Sequence, residues 1–556
     1  MTVNGNAMFN LLNEPWIKVI TKAKEEKLVS LTDAFIHGHE YLSLAGETPL
    51  QDNAILRFLI AISVTIMYRY DIDGNEISLR DRDDALKRFR KIWEAGEFHE
   101  ALTRKYFDKW YDRFFLIGGD RPFYQVPAEF VKEMDVKPDK KKNPSGKLIT
   151  VAPYEESDKL GWIGAAAFNG EILQSGNSLS PFADKGIKKR QKMALDEAAR
   201  WLIYYQNYAD CSSKIPGKWN AGMTFTSSGA NIHPIGHNLF ETIMLCSVLL
   251  DVNQNIYPDI SPAWEKDSYN SINYSPYGEA QPDNLPELYT QQSRKAIIHF
   301  NGSSVDGMFV AAGDRYGATN AFIEPMFAFH PDSKDKSGMV LRPNHLPNNS
   351  VGWKEYRATF MESKAKPARW VQLLFEEDIL DFSVHIPYFM SDIAYGSMQC
   401  SVTYTTNTRL ILSSAFFTDM SEIERASSEI NNIEEISHVL KLFGERLDSA
   451  FGASRSSNGK MNSIFRDQMV RKYELEAGLL IEKLLAGDIT DMAGFHNDIV
   501  KTAEAIAEEA LTNVSLTGFV GHGNQSIGRA EDGFNKDIYQ IRKKLDKKKE
   551  EVTSDE

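Results

Sequence analysis

IERASSEINNIEEISHVLKLFGERL, residues 423–447, carries its apolar side chains at steps of three and four: Ile423, Ala426, Ile430, Ile433, Ile436, Leu440, Phe443 and Leu447. That spacing lines one face of an α-helix for about seven turns. Three more periodic segments follow: Phe465–Leu485, Phe495–Val514, and Phe534–Leu545 with Phe534, Ile538, Ile541 and Leu545. Four amphipathic helices joined by loops of Gly, Ser and Asn read as an antiparallel bundle. The texture changes near Ser413. The sequence therefore predicts an α+β chain, with a large mixed α/β N-terminal domain over 1–411 and a C-terminal antiparallel four-helix bundle over 412–556.

Working outward from the bundle, the upstream part alternates strand-like and helical patterns. Asn10–Val19 (NLLNEPWIKV) reads as an opening strand. Leu50–Tyr70 reads as a helix, with Ile55, Phe58, Leu59, Ile62 and Ile66 on one face. Asp81–Phe115 continues as helix until Arg121–Gln125 (RPFYQ) breaks it at a proline. Strands are expected at Ala296–Phe300 and Met308–Ala312. The run Phe58–Met67 is about half of the ~20 apolar residues that a membrane span needs, and Arg57 and Arg69 flank it. It reads as a buried helix, and no membrane association is expected.

Composition bounds the function. With 42% apolar and 25% charged residues in 556, the chain has a globular composition and enough length for two or more cores. Three cysteines, Cys211, Cys246 and Cys400, form no CxxC pair, which fits a reducing cytoplasm and no disulfide framework. Met1–Asn10 lacks the pattern of a signal peptide, so a cytoplasmic protein is expected. The net charge of −14 opposes free binding to nucleic acid, which leans on phosphate contacts. Any such role needs local basic patches, or partners that supply the positive field.

Two basic stretches qualify. Lys137, Lys140, Lys141, Lys142 and Lys147 lie in a Pro- and Gly-punctuated stretch expected to be a mobile loop. Lys185, Lys188, Lys189, Arg190 and Lys192 precede a helix that carries Trp201, Leu202 and Tyr205. A solvated face is the plainer reading of each run. Catalytic signatures are lacking: there is no GxxxxGK[ST], HExxH or GxSxG. His37, His39 and Glu40 (HGHE) read as a surface turn, and Gly521–Gly528 as an inter-helix loop. Asp332 and Lys336 resemble a nuclease carboxylate–lysine pair only loosely. No cofactor or metal is expected, and the chain reads as non-enzymatic.

Several motifs, in order, carry a family resemblance. NLLNEPWIKV resembles the N-terminal signature of CasA, the large subunit of the type I-E CRISPR Cascade surveillance complex. RPFYQ resembles a Pro-Phe-x-Gln element of that family. Phe182, in SPFADKG, falls where the family has a phenylalanine opening a loop near the guide RNA. IPGKWNAG (Ile215–Gly222) falls at its glycine-rich loop, and YGSMQCS (Tyr395–Ser401) at the loop whose glutamine wedges into DNA. The family also ends in a four-helix bundle.

The resemblance implies recognition of the short motif flanking the target, the PAM, in double-stranded target DNA, followed by strand separation and R-loop formation. It further implies contact with the 5′ end of the guide CRISPR RNA, association with the other Cascade subunits, and recruitment of a helicase-nuclease. The DNA-binding residues it implies are Gly217, Lys218, Trp219, Asn220, Gly222, Met398 and Gln399. A nucleic-acid loop is implied at Phe182, Lys185, Lys188, Lys189, Arg190 and Lys192. Glycine lets backbone approach a sugar-phosphate edge, an amide such as that of Gln399 can fill an opened base step, and Phe182 can stack on a base. Each has a plainer alternative: an ordinary turn, an exposed glutamine, a core phenylalanine. The chain departs from the pattern at Met398, where the family has an asparagine, and at Lys218 and Trp219, which interrupt the glycines. No lysine lies in Tyr316–Asp332, and Arg315 is the nearby basic candidate for PAM reading. Two rival functions remain, a metal-dependent nuclease using the DSKDK segment and a scaffold without DNA contacts.

Overall fold

A computed structural model describes residues 8–127, 139–142, 148–151, 162–170, 192–209, 222–266, 282–362, 369–396, 402–452, 463–512, 520–522 and 525–554. The chain divides into two compact units. One comprises Met1–Ser350, Ala358–Ile379 and Pro387–Arg409; the other comprises Val351–Arg357, Leu380–Ile386 and Leu410–Glu556. The fold mixes helices with small sheets.

The first unit is organised around helix Pro49–Arg69. Thr48 caps it by accepting from the Gln51 N–H at 3.2 Å, and Pro49 occupies the first turn, where its missing N–H costs nothing. The helix is buried nearly all round, so it has no polar face to show. Among the described residues it is the one helix long and apolar enough to cross a membrane, and 94% of its apolar window is buried inside the protein. Three three-stranded sheets are present among the described residues. Ile17–Thr21 lies between Glu26–Val29 and Tyr41–Leu44; Val305–Ala312 between Arg294–Phe300 and Trp162–Gly164; and His385–Tyr395 between Val402–Ser413 and Asn231–Pro234.

At the centre, Arg57 and Glu324 are both fully buried, 2.7 Å apart. Arg57 also lies over the Tyr289 ring at 3.9 Å, and Tyr289 donates its hydroxyl to Glu324 at 2.8 Å. Helix Pro49–Arg69, helix Leu285–Tyr289 and the segment before strand Phe329–Pro331 therefore meet on one ion pair.

The second unit holds helices Met420–Ala450, Ile464–Leu485, Met492–Thr512 and Ile527–Ser554, which fall on the four periodic segments. Met420–Ala450 packs against each of the other three. Gly444 allows its closest approach, since a Cβ there would lie 2.4 Å from the Arg466 Cα. Glu429 accepts from Asn432 and pairs with His496 at 2.8 Å, and Arg446 reaches Asp537 at 3.0 Å. Trp353, well upstream, packs under Gly478.

Three sequence expectations need correction. Asn10–Val19 is not one strand: Phe9–Asn10 pairs with Phe115–Ile117, the chain turns, and pairing resumes at Ile17. The Asn10 side chain accepts from the Leu12 N–H, a local bond that competes with the ladder. Asp81–Phe115 is two helices, Arg82–Ala95 and Glu100–Lys109, because Gly96 ends the first in the left-handed region at φ 72°. Lys140, Lys141 and Lys142 do not lie in a loop. They belong to strand Asp139–Lys142, which pairs with the β-branched run Leu148–Val151.

Two predictions follow from the buried charges. Glu324→Ala would strand the Arg57 guanidinium, and urea unfolding should show a loss of about 3–5 kcal/mol; pairing it with Arg57→Met should recover most of that loss. Asp52, on the first turn of the core helix, accepts from the Gly46 N–H at 2.7 Å. Burial, with the neighbouring Glu47 charge, pushes its carboxyl up to about 7, whereas Lys18 and Arg200 outweigh the burial of Glu47 and hold it at about 2. The unfolded chain loses the Asp52 proton near pH 3.9, so the folded state binds more protons between that value and about pH 7. Stability attributable to Asp52 falls as pH rises through that window. Asp52→Asn should flatten the decline, giving a higher urea midpoint than wild type at about pH 8.

Candidate nucleic-acid interface

Helix Leu195–Tyr208 places the candidate loops. Its C-terminal end is tied down by side chains from several elements. Asn207 accepts from the Thr226 hydroxyl at 2.8 Å through its amide oxygen, and from the Thr224 hydroxyl through its backbone carbonyl. Arg294, at the head of strand Arg294–Phe300, points one terminal nitrogen at two carbonyls, Ala209 at 3.4 Å and Gly222 at 2.9 Å, and the other at Ser293. One buried guanidinium therefore holds both ends of the segment 210–221.

That segment contains Gly217, Lys218, Trp219 and Asn220, which lie outside the described residues; Gly222, its C-terminal root, is buried. A Cβ on Gly222 would stand 2.7 Å from the Arg315 Cζ, so the absence of a side chain lets that guanidinium lie against the loop root. Beneath it, Lys295 pairs with Asp314 at 3.2 Å, and both are buried. Burial raises the Asp314 carboxyl, and Lys295 opposes that rise.

The hairpin of His385–Tyr395 and Val402–Ser413 carries Met398 and Gln399 at its tip, both outside the described residues. The strand end beside that tip meets the same helix end. The Tyr395 hydroxyl donates to the Tyr208 carbonyl at 2.7 Å, and Asn53 reaches both the Tyr208 hydroxyl and Ser391 at 2.9 and 3.4 Å. Burial raises the Tyr208 phenol well above its ordinary value, so it stays a neutral hydrogen-bonding group. On the same hairpin Asp392, fully buried, accepts from the Leu346 and Ile393 N–H groups and from His345 at 3.0 Å. Its hydrogen bond raises the His345 imidazole pKa and favours the cation there.

The third candidate loop is rooted elsewhere. Phe182, Lys185, Lys188, Lys189 and Arg190 lie outside the described residues, while Lys192 is exposed. Met193 exchanges backbone bonds with Val305, and the helix begins two residues later. Gly170, before that loop, fits beneath Tyr204 and Trp201 with no room for a Cβ. Fourteen residues at ~1.5 Å each separate this root from Ala209 by roughly 20 Å. The structure brings the roots of 210–221 and 397–401 together and sets that of 171–191 apart.

The rival motifs have local explanations. Asp332 pairs with Arg342 at 2.5 Å, and Asp335 accepts from Ser337 and the Val340 N–H, so both carboxylates hold the turn between strands Phe329–Pro331 and Leu341–Pro343. His37 flanks and His39 lies in a short 3-10 turn, Gly38–Glu40. No cluster of three metal-ligating side chains occurs among the described residues.

The sequence reading missed Arg294, Tyr208 and the two threonines. The one signal was two cations, Arg294 and Lys295, opening an otherwise apolar strand.

A family model for the CRISPR-associated protein Cse1 matches residues 10–489. The chain belongs to the Cse1 family. The CasA/Cse1 protein of Thermus thermophilus is 27% identical over 367 residues, covering 65% of this chain and 62% of that relative, so the alignment spans under two thirds of the relative's length. Cse1 of Thermobifida fusca superposes with a TM-score of 0.75 at 18% identity, over 97% of this chain and 98% of that one. A chain of a CRISPR RNA-guided surveillance complex gives 0.59 at 14% identity, over 97% and 100%. The last two share the fold. The family expected from the ordered motifs is the one found, and the loop roots described above are those of a Cse1-family chain.

Arg294→Met should leave three buried carbonyls without their donor, at roughly 1–3 kcal/mol each where water cannot reach them. Hydrogen exchange should accelerate at the amides of Ala209 and Thr224 before it does in helix Pro49–Arg69. Uniform acceleration across the unit would show that Arg294 is not a local clamp.

Proposed function

We propose that this chain is the non-catalytic large subunit of an RNA-guided CRISPR surveillance complex, and that it recognises the PAM in duplex DNA and starts strand separation. One observation carries the reading: the segments holding Gly217–Gly222 and Met398–Gln399 spring from a single pinned helix end, at Tyr208 and Ala209. A backbone-reading loop and a wedge must act on neighbouring base pairs, and a shared root supplies that proximity. Family membership supports the same reading.

In this reading the 210–221 loop, with Arg315 at its root, reads the degenerate minor-groove edge of the PAM, and Gln399 enters the adjacent base step. Lys185, Lys188, Lys189, Arg190 and Lys192 meet phosphate and position the duplex without specifying sequence. Phe182 stacks near the 5′ end of the guide RNA, whose pairing with the target carries the specificity. Residues 1–411 act as the nucleic-acid-facing domain, and 412–556 as an antiparallel four-helix bundle that meets sibling subunits. A separate helicase-nuclease is recruited to the assembled complex in the cytoplasm. The net charge of −14 is tolerable if those siblings hold most of the nucleic acid.

Gln399→Ala tests the wedge. Initial duplex binding should persist while R-loop formation slows, because unstacking costs on the order of a few kcal/mol per step. Negative supercoiling should partly rescue the variant, and a target already melted beside the PAM should show almost no defect. R-loop rates in reconstituted complex on linear, supercoiled and pre-melted DNA read this out. Equal rates for variant and wild type on linear duplex would remove the wedge assignment.

A further inference from the structure

Two adjoining hollows in the first unit lie apart from the loop roots. The first, about 230 Å³, has Tyr257, Phe322, Phe327 and Trp370 among its lining residues. It is smaller than the ~300–1,000 Å³ of drug-sized sites, so it suits a single ring system. Phe322 is half-buried and meets Phe329 edge to face at 5.2 Å, a contact that fixes the ring without stacking on it. The Trp370 indole N–H is buried and has no acceptor among the described residues.

The second hollow, about 660 Å³, has Arg80, Arg82 and Arg369 in its wall, together with Asp81. Arg369 and Gln254 line both hollows and so join them. Arg82 is engaged by Gln254 at 3.0 Å and by Glu377, and Arg80 lies near Asp84. Arg369 is exposed and has no carboxylate partner among the described residues. Gln254, at the junction, is held in the left-handed region at φ 62°, a strain that Arg82 and the Asp251 turn maintain.

Carboxylates outnumber the single arginine in the first hollow, and three arginines outnumber the single carboxylate, Asp81, in the second. The aromatic hollow carries Asp251 and Glu376. Asp251 spends one oxygen on the Asn253 and Asn255 N–H groups; its other oxygen, and Glu376, accept from nothing among the described residues. Carboxylates beside aromatic rings repel a phosphate and accept from an amine, while the arginine hollow does the reverse.

We propose that the two hollows form a binding site for a nucleotide unit whose base bears an exocyclic amine. The base sits among Tyr257, Phe322, Phe327 and Trp370, its amine donates to Asp251 or Glu376, and its phosphate lies on Arg369. Stacking and a charge-assisted phosphate contact supply the affinity. The same chemistry is presented by a free nucleotide and by an unpaired nucleotide of a strand. None of these residues belongs to the 210–221 or 397–401 loops, so the site stands or falls independently of the PAM reading.

The experiment titrates the purified full chain calorimetrically with AMP, UMP, inorganic phosphate and a short single-stranded oligo(dA). AMP should bind, with UMP and phosphate at least about tenfold weaker. Arg369→Glu should lower AMP affinity by about tenfold or more with an unchanged melting temperature, because exposed Arg369 makes no ion pair among the described residues. If the oligomer binds tighter than AMP and loses that affinity in the variant, the physiological source is an unpaired strand; equal affinities assign a free nucleotide. Absence of AMP and oligomer binding to about 10 mM overturns the proposal, as does equal binding of AMP and UMP, or of AMP by variant and wild type.

Discussion

Arg57 and Glu324 face each other with no access to water, and much of the first unit is arranged so that they can. A bare pair of charges in an apolar interior costs several kcal/mol per ion. Here the cost is offset by Tyr289, which lies beneath the guanidinium and donates to the carboxylate, with the Asn231 amide oxygen near Arg57 at 3.4 Å. Satisfying one pair thus fixes the positions of the core helix, helix Leu285–Tyr289 and strand Asn231–Pro234. That strand is the edge on which hairpin strand His385–Tyr395 pairs, and Ser391 on that strand bonds to Asn53, one turn before Arg57. The hairpin that carries Gln399 is consequently referenced to a fully buried charge pair.

The second organising point is the end of helix Leu195–Tyr208. A helix terminus leaves carbonyls without intrahelical donors, and here those of Asn207, Tyr208 and Ala209 are met by Thr224, Tyr395 and Arg294. An obligation of backbone chemistry has become the means of bringing two loops, nearly two hundred residues apart in sequence, to one place. Among the described residues, the root at Lys192 is held instead through the backbone bonds between Met193 and Val305.

What could be read from sequence was what repeats locally. Ile423 to Leu447 announces its helix because each turn presents the same face, and Phe58 to Met67 does so because every face is apolar. Strands Arg294–Phe300 and Val305–Ala312 contain the two expected there. Breaks were harder to read: Gly96 stops a helix whose apolar pattern runs on, and Asp139–Lys142 is a strand only because a β-branched partner follows it. Partners remote in sequence were invisible. Arg57 looked like the charged flank of an apolar run, and Arg294 like the start of a strand. Of the candidate site residues, Gly222 and Lys192 fall within the described structure, and the former owes its meaning to Arg315, which no spacing rule connects to it.

The contact between Gly222 and Arg315 bears on how such loops can be exchanged or compared. A position with no side chain decides where a positive charge can stand, because any Cβ would displace the guanidinium. Transplanting the 210–221 loop from one family member to another would therefore carry little by itself. The transferable unit is the loop together with Arg294, Arg315 and the hairpin tyrosine Tyr395, four pieces scattered along the chain that form a single geometric module.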